Sequence, residues 1–228
     1  MKKGYIFSPQ LSLYGEREII GFGDSHFQVK EISRDIANTT IKKNHYSGKV
    51  YNATYIHIGV FIEGKFLGVL QYGYAMNPAS GGSVVTGTGL DQYLELNRMW
   101  LSDEAKRNSE SMAISYSIKF IKGKYPKVKW IQSFADERCG GFGIVYQACS
   151  FDYYGEHKSL FWTLDGEIYH NSLMTRNPKL SKSAAKLQQN KDVATGEELR
   201  QFRYIKFLDQ RWKSKCTLKE CEYPKHYL

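Results

Sequence analysis

Tyr93-Leu94-Glu95-Leu96-Asn97-Arg98-Met99-Trp100-Leu101 alternates apolar and polar side chains closely enough to read as a β-strand. A polar stretch follows. Asn108-Ser109-Glu110-Ser111-Met112-Ala113 then opens a segment, 108–122, with Met112, Ile114, Ile118 and Ile121 at helical spacing. After the Tyr125-Pro126 breaker, residues 128–134 form a short apolar strand. Strands separated by helices at this spacing argue for an α/β or α+β sheet covered on one face or both.

Working towards the N-terminus, residues 77–89 are rich in Gly, Ser and Thr and read as a long loop. Two strand-like runs, 55–62 and 66–74, flank Glu63-Gly64-Lys65 and read as a hairpin. Residues 29–43 carry Val29, Ile32, Ile36 and Ile41, a spacing that predicts a helix running into His45-Tyr46-Ser47-Gly48. Towards the C-terminus, 143–150 is a short helix candidate, and 151–154 and 159–164 read as strands. Asp165-Gly166 is a turn signal ahead of a strand at 168–170. Beyond His170 the pattern weakens: 171–192 reads as loop or irregular helix. Thr195-Gly196-Glu197-Glu198 resembles a capping box opening a helix towards Arg203, and 203–208 reads as a strand.

The chain is long enough, at 228 residues, to build its core without disulfides or a structural metal. Its net charge of +9 is uneven. Residues 171–228 hold roughly 13 Lys+Arg against 6 Asp+Glu, a balance of +7, whereas the first 170 residues are close to neutral. A basic segment on a near-neutral domain suits a polyanion such as nucleic acid, and equally serves as a solubilising surface. Cys139, Cys149, Cys216 and Cys221 are too few and too scattered for a disulfide framework, which points to reduced thiols in a cytoplasm. Cys216 and Cys221 with His226 have the wrong spacing for a zinc knuckle and lack a fourth ligand, so no zinc is expected. No stretch approaches the ~20 apolar residues of a membrane span, and the N-terminal apolar run breaks at Ser8-Pro9, too early for a signal peptide.

Several motifs stand in one order: Asn44-His45-Tyr46-Ser47-Gly48-Lys49, then Leu96-Asn97-Arg98-Met99-Trp100-Leu101, Arg107-Asn108-Ser109-Glu110-Ser111-Met112-Ala113, Phe134-Ala135-Asp136-Glu137-Arg138-Cys139-Gly140-Gly141, Ile144-Val145-Tyr146-Gln147-Ala148-Cys149-Ser150-Phe151 and a Tyr223-Pro224-Lys225 ending. Together, over about residues 40–225, they resemble the bacteriophage Mom family of DNA-modification proteins. The resemblance implies a GNAT acetyltransferase-like mixed sheet flanked by helices. It implies a catalytic domain over 1–170 and a basic extension over 171–228, packed on that domain and contacting DNA. It also implies conversion of adenine in DNA to a methylcarbamoylated base, which shields phage DNA from restriction in the cytoplasm of the infected host. The implied donor is acetyl-CoA, with iron as a candidate metal and double-stranded DNA, its adenine flipped out, as the partner. Monomer and homodimer are both open.

Each candidate residue carries a second, plainer reading. In a GNAT fold the strand and helix from Tyr93 to Lys122 hold the CoA pyrophosphate at a helix N-terminus. Asn108, Ser109 and Ser111 have the spacing of that motif, with Ser111 in place of its first glycine and Asn108 in place of Gln or Arg; alternatively, Asn108 or Ser109 is a helix N-cap. Arg98, a charge in an apolar strand, is a donor- or substrate-binding residue or one arm of a structural salt bridge. Tyr146 is placed to protonate a departing thiolate, or is a core tyrosine. His45, Tyr46 and Asp136 are catalytic candidates, with Asp136 to accept a proton from His45 or from the adenine amine; His45 and Asp136 with Tyr146 also make a candidate iron site; His45 could instead cap a helix and Asp136 a turn. Lys49, Arg176, Lys179, Lys182, Lys186 and Arg203 are the candidate DNA contacts.

The chemistry implied is demanding. The adenine amine is a weak nucleophile, so a positioned base and an activated acyl carbon are needed, and in a duplex the base must leave the stack. Tyr46, Tyr72 and Tyr74 are aromatic candidates for such a pocket. Two other readings share the fold: an acetyltransferase for a protein or small-molecule amine, and a non-catalytic DNA-binding protein.

Overall fold

The computed structural model describes residues 3–12, 15–139 and 141–225. They form one ten-stranded sheet of order β1-β2-β3-β4-β5-β6-β7-β10-β8-β9. The strands are β1 (Gly4–Leu11), β2 (Arg17–Gly23), β3 (Phe27–Glu31), β4 (Thr54–Ile62), β5 (Lys65–Gly73), β6 (Tyr93–Leu101), β7 (Trp130–Asp136), β8 (Asp152–Leu164), β9 (Glu167–His170) and β10 (Thr195–Phe207). The helices are α1 (Arg34–Asn44), α2 (Ser80–Val84), α3 (Ser109–Lys124), α4 (Ile144–Ala148) and α5 (Lys182–Gln189). Neighbouring strands are antiparallel except β6 and β7, which run parallel. A parallel pair needs a crossover, and α3 supplies it. Among the described residues no helix is long and apolar enough to cross a membrane.

The two faces of the sheet bury different helices. Ala113, Ile114, Phe120 and Ile121 of α3 pack with Val29, Ile58, Leu70, Leu94 and Ile131 in the main core. Each fully buried side chain of Ile or Phe size stabilises the fold by about 1.5–3 kcal/mol. On the opposite face Ala37 and Ile41 of α1 lie against Val69 of β5. Farther along that face, Tyr93 stacks on Trp130 at 4.8 Å, and Gly81 of α2 sits so close to Tyr93 that a Cβ there would be 2.5 Å from its ring.

The expected hairpin is β4–β5, turning at Glu63 and Gly64, both with positive φ. The expected strands and helices between 93 and 148 form as β6, α3, β7 and α4. Four expectations are corrected. Val29 belongs to β3 and pairs with Val60, because the buried-half-buried alternation Phe27, Gln28, Val29 suits a strand; α1 starts only at Arg34, where the Ser33 hydroxyl accepts the Ile36 N–H. The glycine-rich loop at 77–89 contains the short helix α2. The two strands expected at 151–164 are one, β8, with a register shift opposite Phe202–Tyr204 near Gly155, whose φ is +82°. The capping-box pattern at Thr195 starts no helix: β10 runs from there to Phe207, paired with β8 on one side and, from Gln201, with β7 on the other. Hydrogen bonding along both edges outweighs a local capping preference.

Residues 171–194 form 3-10 turns and α5, an excursion anchored by Ala184 and Leu187, with Leu187 packed on Leu164 and Tyr169. Residues 195–207, by contrast, fill the middle of the sheet. A chain ending at Ala194 is therefore expected to lose cooperative thermal unfolding, because β7 and β8 would lie apart with no strand between them. A truncated protein that still melts cooperatively within a few degrees of the full chain would contradict this.

Candidate active site

The β6/β7 ladder lasts three pairs, Tyr93↔Trp130, Leu94↔Ile131 and Glu95↔Gln132. Beyond Glu95, β6 stays with β5, while β7 keeps to β10 as far as Asp136↔Gln201. The strands thus part and leave a wedge in mid-sheet. Ser133 closes its apex by donating Oγ to Leu96 O at 3.0 Å.

Strand alternation sorts the wedge residues onto two faces. On the α3 face the Tyr146 hydroxyl lies 2.9 Å from Ser133 Oγ, and its ring packs against Tyr204 and Phe151 at 5.4 and 5.6 Å. α4 can deliver Tyr146 there because Gly143 precedes it with φ +80°; a Cβ at that position would come within 2.4 Å of the Tyr204 ring. α3 begins nearby, contacting α4. Asn108 holds its N-cap position in the left-handed region, without a side-chain cap bond, and Ser109 is buried. Ser111 Oγ donates back to Asn108 O, and Ser111 O accepts the Cys149 thiol.

The α1 face holds the other group. His45 caps α1 through its backbone N–H to Ile41 O, and its ring lies 4.3 Å from that of Tyr46. Tyr46 Oη donates to Asp136 Oδ2 at 3.3 Å across 90 residues of sequence. Arg138 clamps the same carboxylate: its Nε lies 2.9 Å from both oxygens, Nη2 bonds Oδ2, and its backbone N–H donates to Oδ1. The guanidinium also sits 4.3 Å from the Phe161 ring. Burial alone would raise the Asp136 pKa, but these bonds outweigh it and hold the carboxyl below its usual value. His45 is pushed the other way for a base, down to about 4, by burial and by Arg98 and Arg138. Its Nδ1 accepts the Ser47 N–H at 3.2 Å, so the neutral ring carries its proton on Nε2.

Arg98 reaches this face because Asn97 is a bulge: Tyr72 pairs with Leu96 but Gln71 with Arg98. Arg98 donates to Asn97 O at 2.7 Å and Lys49 O at 3.3 Å and lies over the Tyr51 ring; among the described residues no carboxylate is within 4 Å of it. The structure therefore brings His45, Tyr46, Arg98 and Asp136 into one cluster and sets Tyr146 on the opposite face of β7. Glu137, next to Asp136, points away and pairs with Arg200. Tyr46, an imidazole neighbour and Asp136 are oxygen and nitrogen donors of the kind that suit iron, with Arg138 the group an ion would displace. Among the described residues no three His, Cys, Asp or Glu side chains make a metal-binding group, and Tyr146 lies on the opposite face of β7 from His45 and Asp136.

The basic residues separate. Arg176, Lys179 and Lys182 are exposed on the excursion, and Lys186 is exposed there but paired with Asp165. Lys49 ties the α1–β4 loop to β9 through Glu167 Oε2 and Ile168 O. Arg203 lies in the sheet, over the Phe134 ring at 5.0 Å. Sequence reasoning passed over Arg138; its place two residues after a strand-end aspartate, where a guanidinium can turn back onto the carboxylate, was the available signal.

A splayed parallel pair, a helix starting at the wedge and a last strand inserted between β7 and β8 define a GNAT-type acyltransferase fold. NAA60 of Arabidopsis thaliana, solved in complex with a bisubstrate analogue, superposes with a TM-score of 0.50 at 9% identity, over 79% of this chain and 97% of that one. A ribosomal-protein-S5-alanine acetyltransferase from Vibrio fischeri covers 85% of this chain and 98% of its own, at 13% identity and a TM-score of 0.48. Residues 26–225 match the Mom protein family. Methylcarbamoylase Mom of Escherichia phage Mu is 45% identical over 218 residues, 96% of this chain and 90% of the phage Mu protein. This chain belongs to the Mom family.

Asp136 is 8% exposed, so removing its clamp leaves a charge without its partner. Arg138→Leu should cost about 3 kcal/mol in urea unfolding at pH 7. The wild-type pair is intact above the unfolded carboxyl pKa of about 3.9 and is lost as pH falls through the lower folded value. The deficit of Arg138→Leu should therefore shrink on acidification, and Arg138→Leu/Asp136→Asn should recover most of it at pH 7. A deficit unchanged by pH and by the second substitution would show that packing, not charge, is lost.

Proposed function

We propose that this chain acylates the 6-amino group of adenine in DNA on the way to a methylcarbamoyl-type base, protecting phage DNA from restriction in the cytoplasm of the infected host. Family membership supports the transferase reading. The observation that carries the site is the Tyr46–Asp136 contact on one face of a wedge whose other face presents Tyr146 and Ser133. A transferase needs two substrates to meet, and an opening in mid-sheet gives each its own side.

In this reading the donor, acetyl-CoA, enters from the α3 face. Its phosphates lie against the start of α3 at Asn108, Ser109 and Ser111, where the helix dipole favours anions. Tyr146, its hydroxyl held 2.9 Å from Ser133 Oγ, gives its proton to the departing sulfur and regains one from water after the thiol leaves. The adenine enters from the α1 face after leaving the stack. Asp136 takes the amine proton there, with Tyr46 and Arg138 orienting its carboxylate, while neutral His45 donates from Nε2 and Arg98 holds a polar group of either substrate. Iron, when bound, would be held by His45, Tyr46 and Asp136 and would polarise the acyl oxygen as a Lewis acid. Arg176, Lys179, Lys182 and Lys186 grip the phosphates on either side of the flipped base.

Purified chain incubated with DNA and acetyl-CoA should yield a new adenine nucleoside by mass spectrometry. In Asp136→Asn the rate should fall by roughly a hundredfold or more, the range of lost general-base catalysis, while nonspecific DNA binding persists. Normal adenine in the wild-type reaction, with DNA bound, would favour the non-catalytic reading; an Asp136→Asn protein that modifies at the normal rate would remove Asp136 from the chemistry.

Changing Arg176, Lys179, Lys182 and Lys186 together to Gln should flatten the slope of log K against log salt by about 3–4, near 0.9 per lost phosphate contact. An unchanged slope between 50 and 200 mM salt would place the DNA elsewhere.

A further inference from the structure

Arg203 stands in β10 opposite Phe134 of β7, two residues along from the Gln201–Asp136 pair. Directly opposed residues of antiparallel strands point to one face, so Phe134, Asp136, Gln201 and Arg203 share the α1 face. His157, opposite Gln201 on β8, joins them. α1 packs on β4, β5 and β6, and α5 on the 3-10 turns of the excursion. Between them this stretch of sheet stays open: His157 is exposed, and Phe134, Gln201 and Arg203 are half-buried.

The Arg203 guanidinium lies over the Phe134 ring at 5.0 Å, an attraction that holds it in place. Among the described residues its side chain makes no hydrogen bond and has no carboxylate within 4 Å. The other arginines of the site differ: Arg98 donates to two backbone carbonyls, and Arg138 is bound to Asp136. Glu95 attracts Arg203 from farther off, but its oxygens accept from Gln132 Nε2 at 2.8 Å and Asn97 Nδ2 at 2.9 Å. Burial pushes the Glu95 carboxyl up to about 7, so near neutral pH it is only a partial countercharge. Burial and Arg203 also lower the pKa of His157, which leaves that imidazole neutral. Arg203 has thus lost part of its water and gained no acceptor for any of its five N–H groups.

We propose that Arg203 binds a phosphodiester of the target nucleotide itself, the anion that must follow the flipped adenine onto this face. The inference rests on the adenine-modifying reading and deepens it: the basic residues of the excursion grip the duplex, whereas Arg203 grips the linkage that leaves it. A guanidinium fork matches a phosphate bidentately, and arginine is the side chain suited to a partly desolvated phosphate contact. The spacing fits as well. Arg203 lies one pleat repeat, about 7 Å, from the level of Asp136, a separation that a base and its sugar can bridge with the amine at Asp136 and the phosphate at Arg203. The reaction's other phosphates belong to the donor, which this reading places at the start of α3, on the opposite face. The plainer role for Arg203 is packing, its guanidinium covering Phe134 and solvated by water.

The test is competition binding of purified chain to duplexes carrying a site it modifies, in which one phosphodiester at a time is replaced by a neutral methylphosphonate. In the wild type, neutralising one of the two linkages of the target adenine should weaken binding by about tenfold or more, the scale of lost charge-assisted hydrogen bonds, and neutralising linkages several pairs away by less than about threefold. In Arg203→Gln the penalty at that linkage should drop below about threefold, with binding to the all-phosphate duplex lowered to match, while Arg203→Lys keeps the charge and part of the penalty. Acetyl-CoA binding should be unchanged in both variants. Wild-type protein that modifies adenine but shows an even penalty at every linkage overturns the Arg203 site and leaves the proposed function standing. So does an Arg203→Gln protein that keeps the full penalty, or one that loses acetyl-CoA binding with DNA binding intact, which would make the donor the source of the phosphate. Wild-type protein that modifies no adenine in any duplex overturns both. The wild-type scan needs no folded variant.

Discussion

The parallel pairing of β6 with β7 stops after three residues, and the rest of the site depends on that stop. Each strand is committed elsewhere: β6 to β5 from Glu95 to Leu101, β7 to β10 as far as its last residue. Neither can close the gap without breaking an antiparallel ladder. The Asn97 bulge turns Arg98 to the α1 face just where the gap opens, and Ser133 fixes the apex through Leu96 O. A sheet interior normally offers a ligand no entry, because its backbone groups satisfy one another; here β7 has no strand partner on its β6 side beyond Gln132, and its side chains alternate between the two faces.

That geometry sets Tyr146, through Ser133, on one face of β7 and Asp136, three residues further along the strand, on the other. It also explains the charge arrangement. Asp136 is buried enough that burial works against its ionisation, and Arg138 restores it. Burial, with the positive charge of Arg98 and Arg138, keeps His45 neutral. The face therefore offers an ionised carboxylate beside a neutral imidazole.

Much of this was legible in the residues and some was not. The hairpin, β6, α3 and β7 have clean periodicity and form as read. β10 escaped because Thr195-Gly196-Glu197-Glu198 satisfies a local helix rule, while its strand identity comes from partners 32 to 77 residues away. Val29 fits a helical spacing as well as it fits β3, and only its pairing with Val60 decides. His45, Tyr46, Arg98 and Asp136 were named from motifs, and they are adjacent. Their partners were not: Arg138 looked like one charge in a loop, and Glu95 like an ordinary polar position in an alternating strand, because burial and the neighbours that supply hydrogen bonds are properties of the tertiary structure. Lys49 was read from its charge as a DNA contact, but its amine is held by Glu167 and Ile168, which that charge did not disclose.

The central claim is that the acceptor base enters the wedge from the α1 face, opposite Tyr146. Photo-crosslinking of the chain to a duplex bearing 8-azidoadenine at a modified position, followed by peptide mapping, tests it most directly. The account predicts adducts on Tyr46, Phe134 or Phe161. Adducts confined to the α3 face, at Tyr146, Ser111 or the start of α3, would contradict it.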